Sequence, residues 1–110
     1  MWQKEIWWAD LGPAKGREQG GKRPVVIISG NLMNEHYDVR IICPISSQIK
    51  NFAGCLILKK DKQNHLSKDS EILTFQVRTI AIKRLTKKIG EISTAQLNEI
   101  KFYLNEILSY

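Results

Sequence analysis

The 110-residue sequence contains only two cysteines, Cys43 and Cys55. They form no CxxC pair and have no histidine at metal-ligand spacing, which argues against a zinc site. Cys43 lies within an apolar run, where a reduced thiol behaves as a small hydrophobic side chain. No apolar run approaches the roughly 20 residues that span a bilayer, and charged residues interrupt the N-terminal segment, so we expect no signal peptide. The sequence therefore predicts a cytoplasmic protein without a cofactor or metal.

Acidic residues are few relative to basic ones. The chain has 11 Asp and Glu against 17 Lys and Arg, which gives a net charge of +6. This balance favours a polyanionic partner such as nucleic acid, an acidic membrane or an acidic protein. The length and the ordinary globular composition predict one domain over residues 1–110 with a single modest core.

Short apolar segments alternate with glycine-containing or polar turns along most of the chain. We predict strands at 5–11, 24–29, 39–45, 55–58, 71–76, 77–80 and around 88–92, with a loop at 30–38. Ser93 and Gln96 then form a capping box at the start of a helix. Its apolar stripe, expected to cover the core, consists of Leu97, Ile100, Leu104, Ile107 and Leu108. Many short strands followed by one helix predict a small, strongly bent β-barrel.

The loop at residues 16–24 contains three glycines and three cations directly before an apolar strand. Glycine lets backbone N–H groups approach a ligand closely, and cations among such amides favour an anion, most often a phosphate. A solvated hairpin loop is the alternative, and composition alone favours it.

The order of residues in this region resembles the opening signature of the MazF/PemK family, the ribonuclease toxins of bacterial toxin–antitoxin systems. The matching residues are Ile6-Trp7, Asp10-Leu11, Pro13, Gly16, Glu18-Gln19, Gly21 and Arg23-Pro24-Val25. The similarity continues through Ile42-Cys43-Pro44-Ile45-Ser46-Ser47, Gln76-Val77-Arg78-Thr79-Ile80, Arg84-Leu85 and Ile89-Gly90 into the C-terminal helix. It covers essentially the whole chain.

The resemblance implies a mainly β fold with a C-terminal helix, an SH3-like barrel of the CcdB/PemK type, which forms a two-fold homodimer. It implies a metal-independent endoribonuclease that cleaves single-stranded mRNA at short sequences and inhibits translation and growth. The products would carry 2′,3′-cyclic phosphate and 5′-hydroxyl ends. The implied partner is an antitoxin whose acidic C-terminal segment occludes the RNA groove. The alternative is a non-catalytic toxin or binding module on the same barrel, such as a gyrase inhibitor. The chain ends Glu-Ile-Leu-Ser-Tyr and lacks the C-terminal tryptophan of that class.

Two residues match the catalytic positions of the family. Arg23 offers a planar fork of donors suited to phosphate and keeps its charge. Ser46 can hydrogen-bond a phosphate oxygen or the 2′-hydroxyl and so fix the in-line geometry. Its neighbour Ser47 is expected on the opposite face, so that Ser46 alone points into the site.

Further RNA contacts are predicted at Arg17, Glu18, Gln19, Lys22, Ser47, Gln48, Phe75 and Gln76. Glu18 is a candidate base, although pairing with Arg17 or Arg23 is the more common role for such a carboxylate. Phe75 stands where relatives often have an acidic residue, and it can stack on a base. The general base is therefore unassigned.

For several other polar and aromatic residues we predict structural or surface roles. We expect Arg78 to form a salt bridge, the tryptophans to make core or dimer contacts, and His36 and His65 to be plain surface residues. The basic run at 83–88 is expected to be a solvated face, with RNA steering or antitoxin binding as its alternative role.

Overall fold

The computed structural model describes residues 1–109. Its strands are β1 (Glu5–Asp10), β2 (Lys22–Ile27), β3 (Val39–Ser46), β4 (Leu56–Leu58), β5 (Ser70–Ile72), β6 (Arg78–Ala81) and β7 (Leu85–Glu91). Its α-helices are α1 (Asn31–His36) and α2 (Thr94–Ser109), with 3₁₀ turns at Thr74–Gln76 and Ile82–Arg84. Within the described residues, neither helix is both long and apolar enough to cross a bilayer.

The strands form one antiparallel sheet in the order β4-β5-β3-β2-β1-β7, and β6 pairs with β3. Over residues 1–109 the sheet does not close through pairing of its two outer strands. Instead, the segment at 59–69 lies against β7, where the Glu91 N–H donates to the Gln63 carbonyl at 3.1 Å. The predicted class, mainly β with a C-terminal helix, is confirmed, and a loop contact takes the place of the last strand pair of a barrel.

The long strand β3 is central in this sheet although it contains Pro44. Val25 of β2 faces Pro44 on one side. On the other side the pairing with β6 ends at Ile42, and the pairing with β5 begins at Ile45. The Pro44 carbonyl accepts the Leu73 N–H at 2.9 Å. Because Pro44 lies in the gap between β6 and β5, the strand tolerates the missing N–H without an edge position.

The buried side chains form two clusters on opposite faces of the bent sheet. Successive side chains of β2 alternate between the two clusters, because they point to opposite faces of the sheet. Val26 belongs to one cluster, and Val25 and Ile27 belong to the other. Cys43 is fully buried in the first cluster. Burial, and then the nearby Cys55, raises the pKa of Cys43 to about 12. This confirms the predicted role of Cys43 as a protonated core side chain.

The capping box of α2 is confirmed. The Gln96 N–H donates to Ser93 Oγ at 3.1 Å, and the Ser93 N–H donates to Gln96 Oε1 at 2.8 Å. Leu97 and Ile100 are buried in the first cluster, and Leu104 packs partly against it. The expectation fails at Ile107 and at Leu108, which is 82% exposed. The apolar stripe therefore covers the core over the first part of α2 only.

Local side-chain hydrogen bonds alter two other predicted segments. The loop predicted at 30–38 contains α1, because buried Asn34 donates to the Ser29 carbonyl at 2.9 Å and closes the chain into a turn. The strand predicted at 71–76 ends at Ile72, and buried Thr74 donates to the Gly54 carbonyl at the start of a 3₁₀ turn. Hydroxyl and amide side chains of this kind compete with strand pairing.

Candidate nucleic-acid interface

A groove of about 990 Å³ opens where β2 begins and β3 ends. The register of these antiparallel strands pairs Val25 with Pro44. The pairing of β2 with β3 ends at this pair, and Arg23 and Ser46 each lie two residues beyond it, at the groove. Both side chains line the groove, so the fold brings together the two residues expected to be catalytic.

The Arg23 side chain is held by the glycine loop. Its Nε donates to the Gly20 carbonyl at 3.0 Å. A Cβ atom at Gly20 would lie 2.3 Å from the backbone nitrogen of Ala14, so the loop has room for glycine alone at this position. Within the described chain the Arg23 Nη groups have no hydrogen-bond partner, which leaves them free for an anion in the groove.

The Ser46 hydroxyl lies at the end of β3 and accepts the Gln48 N–H at 3.1 Å. This contact turns the chain out of the strand and places Gln48 on the groove wall. Ser47 also lines the groove, so the expectation that only Ser46 faces the site is wrong. The reason is that the strand ends at Ser46, and the alternation of side chains ends with it.

The charges that line the groove are of one sign. Five cations line it and no Asp or Glu of residues 1–109 does; the cations are Arg17, Lys22, Arg23, Lys50 and Lys68. Clefts lined by one sign of charge concentrate ligands of the opposite sign. This groove therefore favours a polyanion.

Glu18 does not line this groove. It lies at a smaller adjoining pocket of about 220 Å³, together with Arg78. The ion pairs of residues 1–109 all involve Glu5, in contact with the Met1 amino group and Lys88. The predicted pairing of Glu18 with Arg17 or Arg23 does not form, nor does the predicted salt bridge of Arg78.

Two exposed aromatic side chains stand on the groove walls. Phe75 is 44% exposed and Trp8 is 41% exposed. Phe75 lines both the groove and the smaller pocket, and it packs edge-to-face on Phe52 with ring centroids 5.2 Å apart. Trp8 lies in the groove rather than in the core. Exposed aromatic faces beside cations are typical of surfaces that bind single-stranded nucleic acid.

Gln76 connects the glycine loop to the rest of the site. Its Nε2 donates to the Arg17 carbonyl at 2.9 Å. Gln19 and Gln76 line both the groove and the smaller pocket. One side-chain amide therefore fixes the loop, and the other remains available to a ligand.

Among the groove residues that the sequence analysis did not assign to the site are Lys50, His65 and Lys68. Two loops bring them there. The buried Glu71 carboxylate accepts the N–H groups of Lys50 and Phe52 at 3.0 and 2.9 Å. Such contacts join residues about twenty positions apart, and no local pattern in the sequence predicts them.

Other charged and metal-ligating residues lie elsewhere. The basic run at 83–88 does not line the groove; in it, Lys88 contacts Glu5 at 3.3 Å and Arg84 donates to the Asp10 carbonyl at 3.2 Å. His36 ends α1, outside the groove. Within the part of the chain that the structure describes, no three His, Cys, Asp or Glu side chains cluster as metal ligands do.

Comparison with known proteins gives a consistent result. A family model described as PemK-like, MazF-like toxin of type II toxin–antitoxin system matches residues 3–108. The fold is similar to that of MazF from Deinococcus radiodurans, with a TM-score of 0.83 and 23% identity, covering 100% of this chain and 97% of that one. It is also similar to the Mycobacterium tuberculosis toxin MazF-mt6, with a TM-score of 0.79 and 19% identity, covering 96% of each chain. A third similar structure is a mycobacterial endoribonuclease in complex with its cognate antitoxin, with a TM-score of 0.80 and 18% identity, covering 98% of this chain and 94% of that one.

Proposed function

The chain belongs to the PemK-like, MazF-like toxins of type II toxin–antitoxin systems, and on this basis we propose that it is a sequence-specific endoribonuclease. Its substrate is single-stranded RNA, chiefly mRNA, and it cleaves without a metal ion. Cleavage of mRNA inhibits translation and growth. One domain over residues 1–110 carries the activity.

The observation that carries this proposal is that Arg23 and Ser46 line one groove, whose lining includes five cations and no carboxylate of residues 1–109. The 2′-oxygen of RNA attacks the adjacent phosphorus, and the bond to the 5′-oxygen breaks. The products are a 2′,3′-cyclic phosphate and a 5′-hydroxyl. Arg23 donates to the phosphoryl oxygens, where negative charge increases in the transition state. Ser46 hydrogen-bonds the phosphate or the 2′-hydroxyl and aligns the two for attack.

The other groove residues bind the RNA on either side of the scissile bond. Arg17 and Lys22 contact flanking phosphates, and such contacts supply most of the affinity for a nucleic acid without reading its sequence. Phe75 stacks on an unpaired base. The polar side chains that contact base edges or ribose hydroxyls are Gln19, Ser47 and Gln48. Glu18 and Gln76 contact the RNA from the adjoining pocket.

The regulatory partner is an antitoxin with an acidic C-terminal segment. One similar structure is described as an endoribonuclease in complex with its cognate antitoxin, and another as MazE–MazF from Deinococcus radiodurans. A groove with five cations and no carboxylate suits an acidic peptide as well as RNA. Antitoxin binding would therefore exclude the substrate. The toxin acts as a homodimer.

Variants at the two catalytic positions test this proposal. We expect Arg23→Ala to lower the cleavage rate by about 10²–10³-fold because a donor to the transition state is lost, and to abolish growth arrest. Ser46→Ala should lower cleavage while RNA binding remains. Lys87→Ala is the matched control, because Lys87 is exposed and lies outside the groove. Growth arrest by Arg23→Ala, with cellular mRNA intact, would instead indicate a non-catalytic toxin that acts on a protein target such as gyrase.

A further inference from the structure

We propose that His65 is the general base that accepts the 2′-hydroxyl proton during RNA cleavage. This inference rests on the endoribonuclease activity proposed above, and it assigns the step for which the family signature of this chain has no residue. His65 is exposed and lines the same groove as Arg23 and Ser46.

The composition of the groove leaves one side chain for this role. Its arginines and lysines offer hydrogen-bond donors and no acceptor for a proton. Its hydroxyl and amide side chains accept hydrogen bonds but are not bases near neutral pH, and no carboxylate of residues 1–109 lines it. Imidazole is the side chain that exchanges a proton between about pH 5 and 8. The one carboxylate inside the glycine loop at 16–24, Glu18, lines the adjoining pocket.

The segment that carries His65 is held rigidly at the groove. Its neighbour Asn64 is only 1% exposed. Asn64 Oδ1 accepts the N–H groups of Asp61 and Leu66, each at 3.0 Å, and Asn64 Nδ2 donates to the Lys59 carbonyl at 2.8 Å. All three contacts close a compact turn around the position of His65.

Strand β7 supports this turn from behind. A Cβ atom at Gly90 would lie 2.4 Å from the Asn64 carbonyl oxygen, so a side chain there would push the turn away. His65 itself has a φ of 55°, a left-handed conformation that few non-glycine residues adopt. These backbone contacts define the turn in which His65 lines the groove.

The segment at 59–69 and β7 carry further charged residues besides the five groove cations, namely Lys59, Lys60, Asp61, Lys62, Asp69, Lys87, Lys88 and Glu91. The two aspartates of the segment accept backbone N–H groups, Asp61 from Gln63 and Asn64, and Asp69 from Lys60. The form of an imidazole that accepts a proton is the neutral one.

A ring nitrogen of neutral His65 takes the proton of the 2′-hydroxyl as the 2′-oxygen forms its bond to phosphorus. The bond from phosphorus to the 5′-oxygen breaks, and the 5′-oxygen takes a proton from solvent water. The imidazolium of His65 then returns its proton to solvent. Arg23 and Ser46 hold the phosphate during this sequence.

A cavity variant with chemical rescue tests the assignment. Glycine adopts positive φ without strain, so His65→Gly removes the imidazole and preserves the turn. We expect its cleavage rate to fall by about 10²–10⁴-fold, the usual contribution of a positioned base, while RNA binding is unchanged. Added imidazole should restore cleavage by His65→Gly in proportion to its concentration and should not restore Arg23→Ala. His36→Gly, at the histidine outside the groove, should cleave as the wild type does.

A second measurement separates a base from a phosphate contact. Wild-type cleavage should rise with pH along the limb that a histidine base produces between about pH 5 and 8, and His65→Asn should lack that limb. Wild-type rates in His65→Gly, or a loss of RNA binding without imidazole rescue, would overturn the assignment and leave the endoribonuclease proposal standing. Failure of the folded wild-type protein to cut RNA would instead remove the proposed function and this inference together.

Discussion

At the scale of single residues, Glu5 shows how the chain stabilises a buried charge away from the groove. Burial acts to raise the pKa of Glu5, but hydrogen bonds from the Trp7 indole and the Trp2 backbone, with the Met1 amino group beside them, outweigh it. The result is a pKa of about 2, below the ordinary 4.5. The bonds from Trp7 and Trp2 measure 2.9 and 3.0 Å, and Lys88 lies 3.3 Å away.

This lowered pKa makes a stability prediction. Because the folded pKa of Glu5 lies below its unfolded value, its contribution is complete above about pH 5 and is lost as the pH falls toward about 2. Glu5→Gln should therefore lower the free energy of unfolding at pH 7 by about 1–3 kcal/mol. The difference from wild type should shrink at pH 3.

Urea unfolding of both proteins at pH 7 and pH 3 measures this difference. Glu99→Gln is the control, since Glu99 is exposed and should change stability little at either pH. A Glu5→Gln effect of the same size at both pH values would show that its charge is not the cause.

At the scale of elements, the groove depends on loops that are fixed by a few long-range contacts. Glu71 in β5 holds the backbone of the loop that carries Lys50 and Phe52. Gly90 in β7 admits the turn around Asn64. The strands provide a rigid frame, and these contacts decide which loop side chains reach the groove.

Gly90→Ala tests the contact between β7 and the turn. The added methyl group would overlap the Asn64 carbonyl, so the turn must move or the strand must shift. We expect the free energy of unfolding to fall by about 1–3 kcal/mol, as for other overpacked sites, with a loss of RNA cleavage as the turn leaves the groove. Unfolding in urea and a cleavage assay on the same preparation provide the measurement.

Gly30→Ala is the matched control for this change. A Cβ atom at Gly30 meets nothing within 4 Å, and its φ of −65° is open to any residue. If both variants were equally stable and equally active, the contact between β7 and the turn would not position the groove.

The elements divide into those that local patterns predict and those that they do not. The capping box at Ser93 and the buried strand around Val26 are local patterns, and both are confirmed. The family signature predicted Arg23 and Ser46, and both residues line the groove. His65 was interpreted as a plain surface residue, because its place in the groove depends on Asn64 and on a glycine about 25 residues away. Those contacts have no signal in the sequence near His65.

At the scale of the whole molecule, the basic residues that give the net charge of +6 are divided between the groove and other parts of the chain. Five cations line the groove without a carboxylate of residues 1–109 among them, whereas the basic run at 83–88 lies outside it. The composition predicts the sign of the charge, and the fold places Arg23 and Ser46 in the groove. This distribution of charge suits a polyanion such as the RNA substrate proposed above.

The most direct test of the central claim is RNA cleavage by the purified protein in EDTA, with the cut ends mapped on a long RNA of mixed sequence. We predict discrete cuts at one repeated short sequence. The 5′ ends should accept a phosphate from polynucleotide kinase without prior phosphatase treatment, because they carry hydroxyls. Arg23→Ala should leave the same RNA intact. Intact RNA after incubation with folded wild-type protein, or cuts that disappear when EDTA is added, would contradict the account.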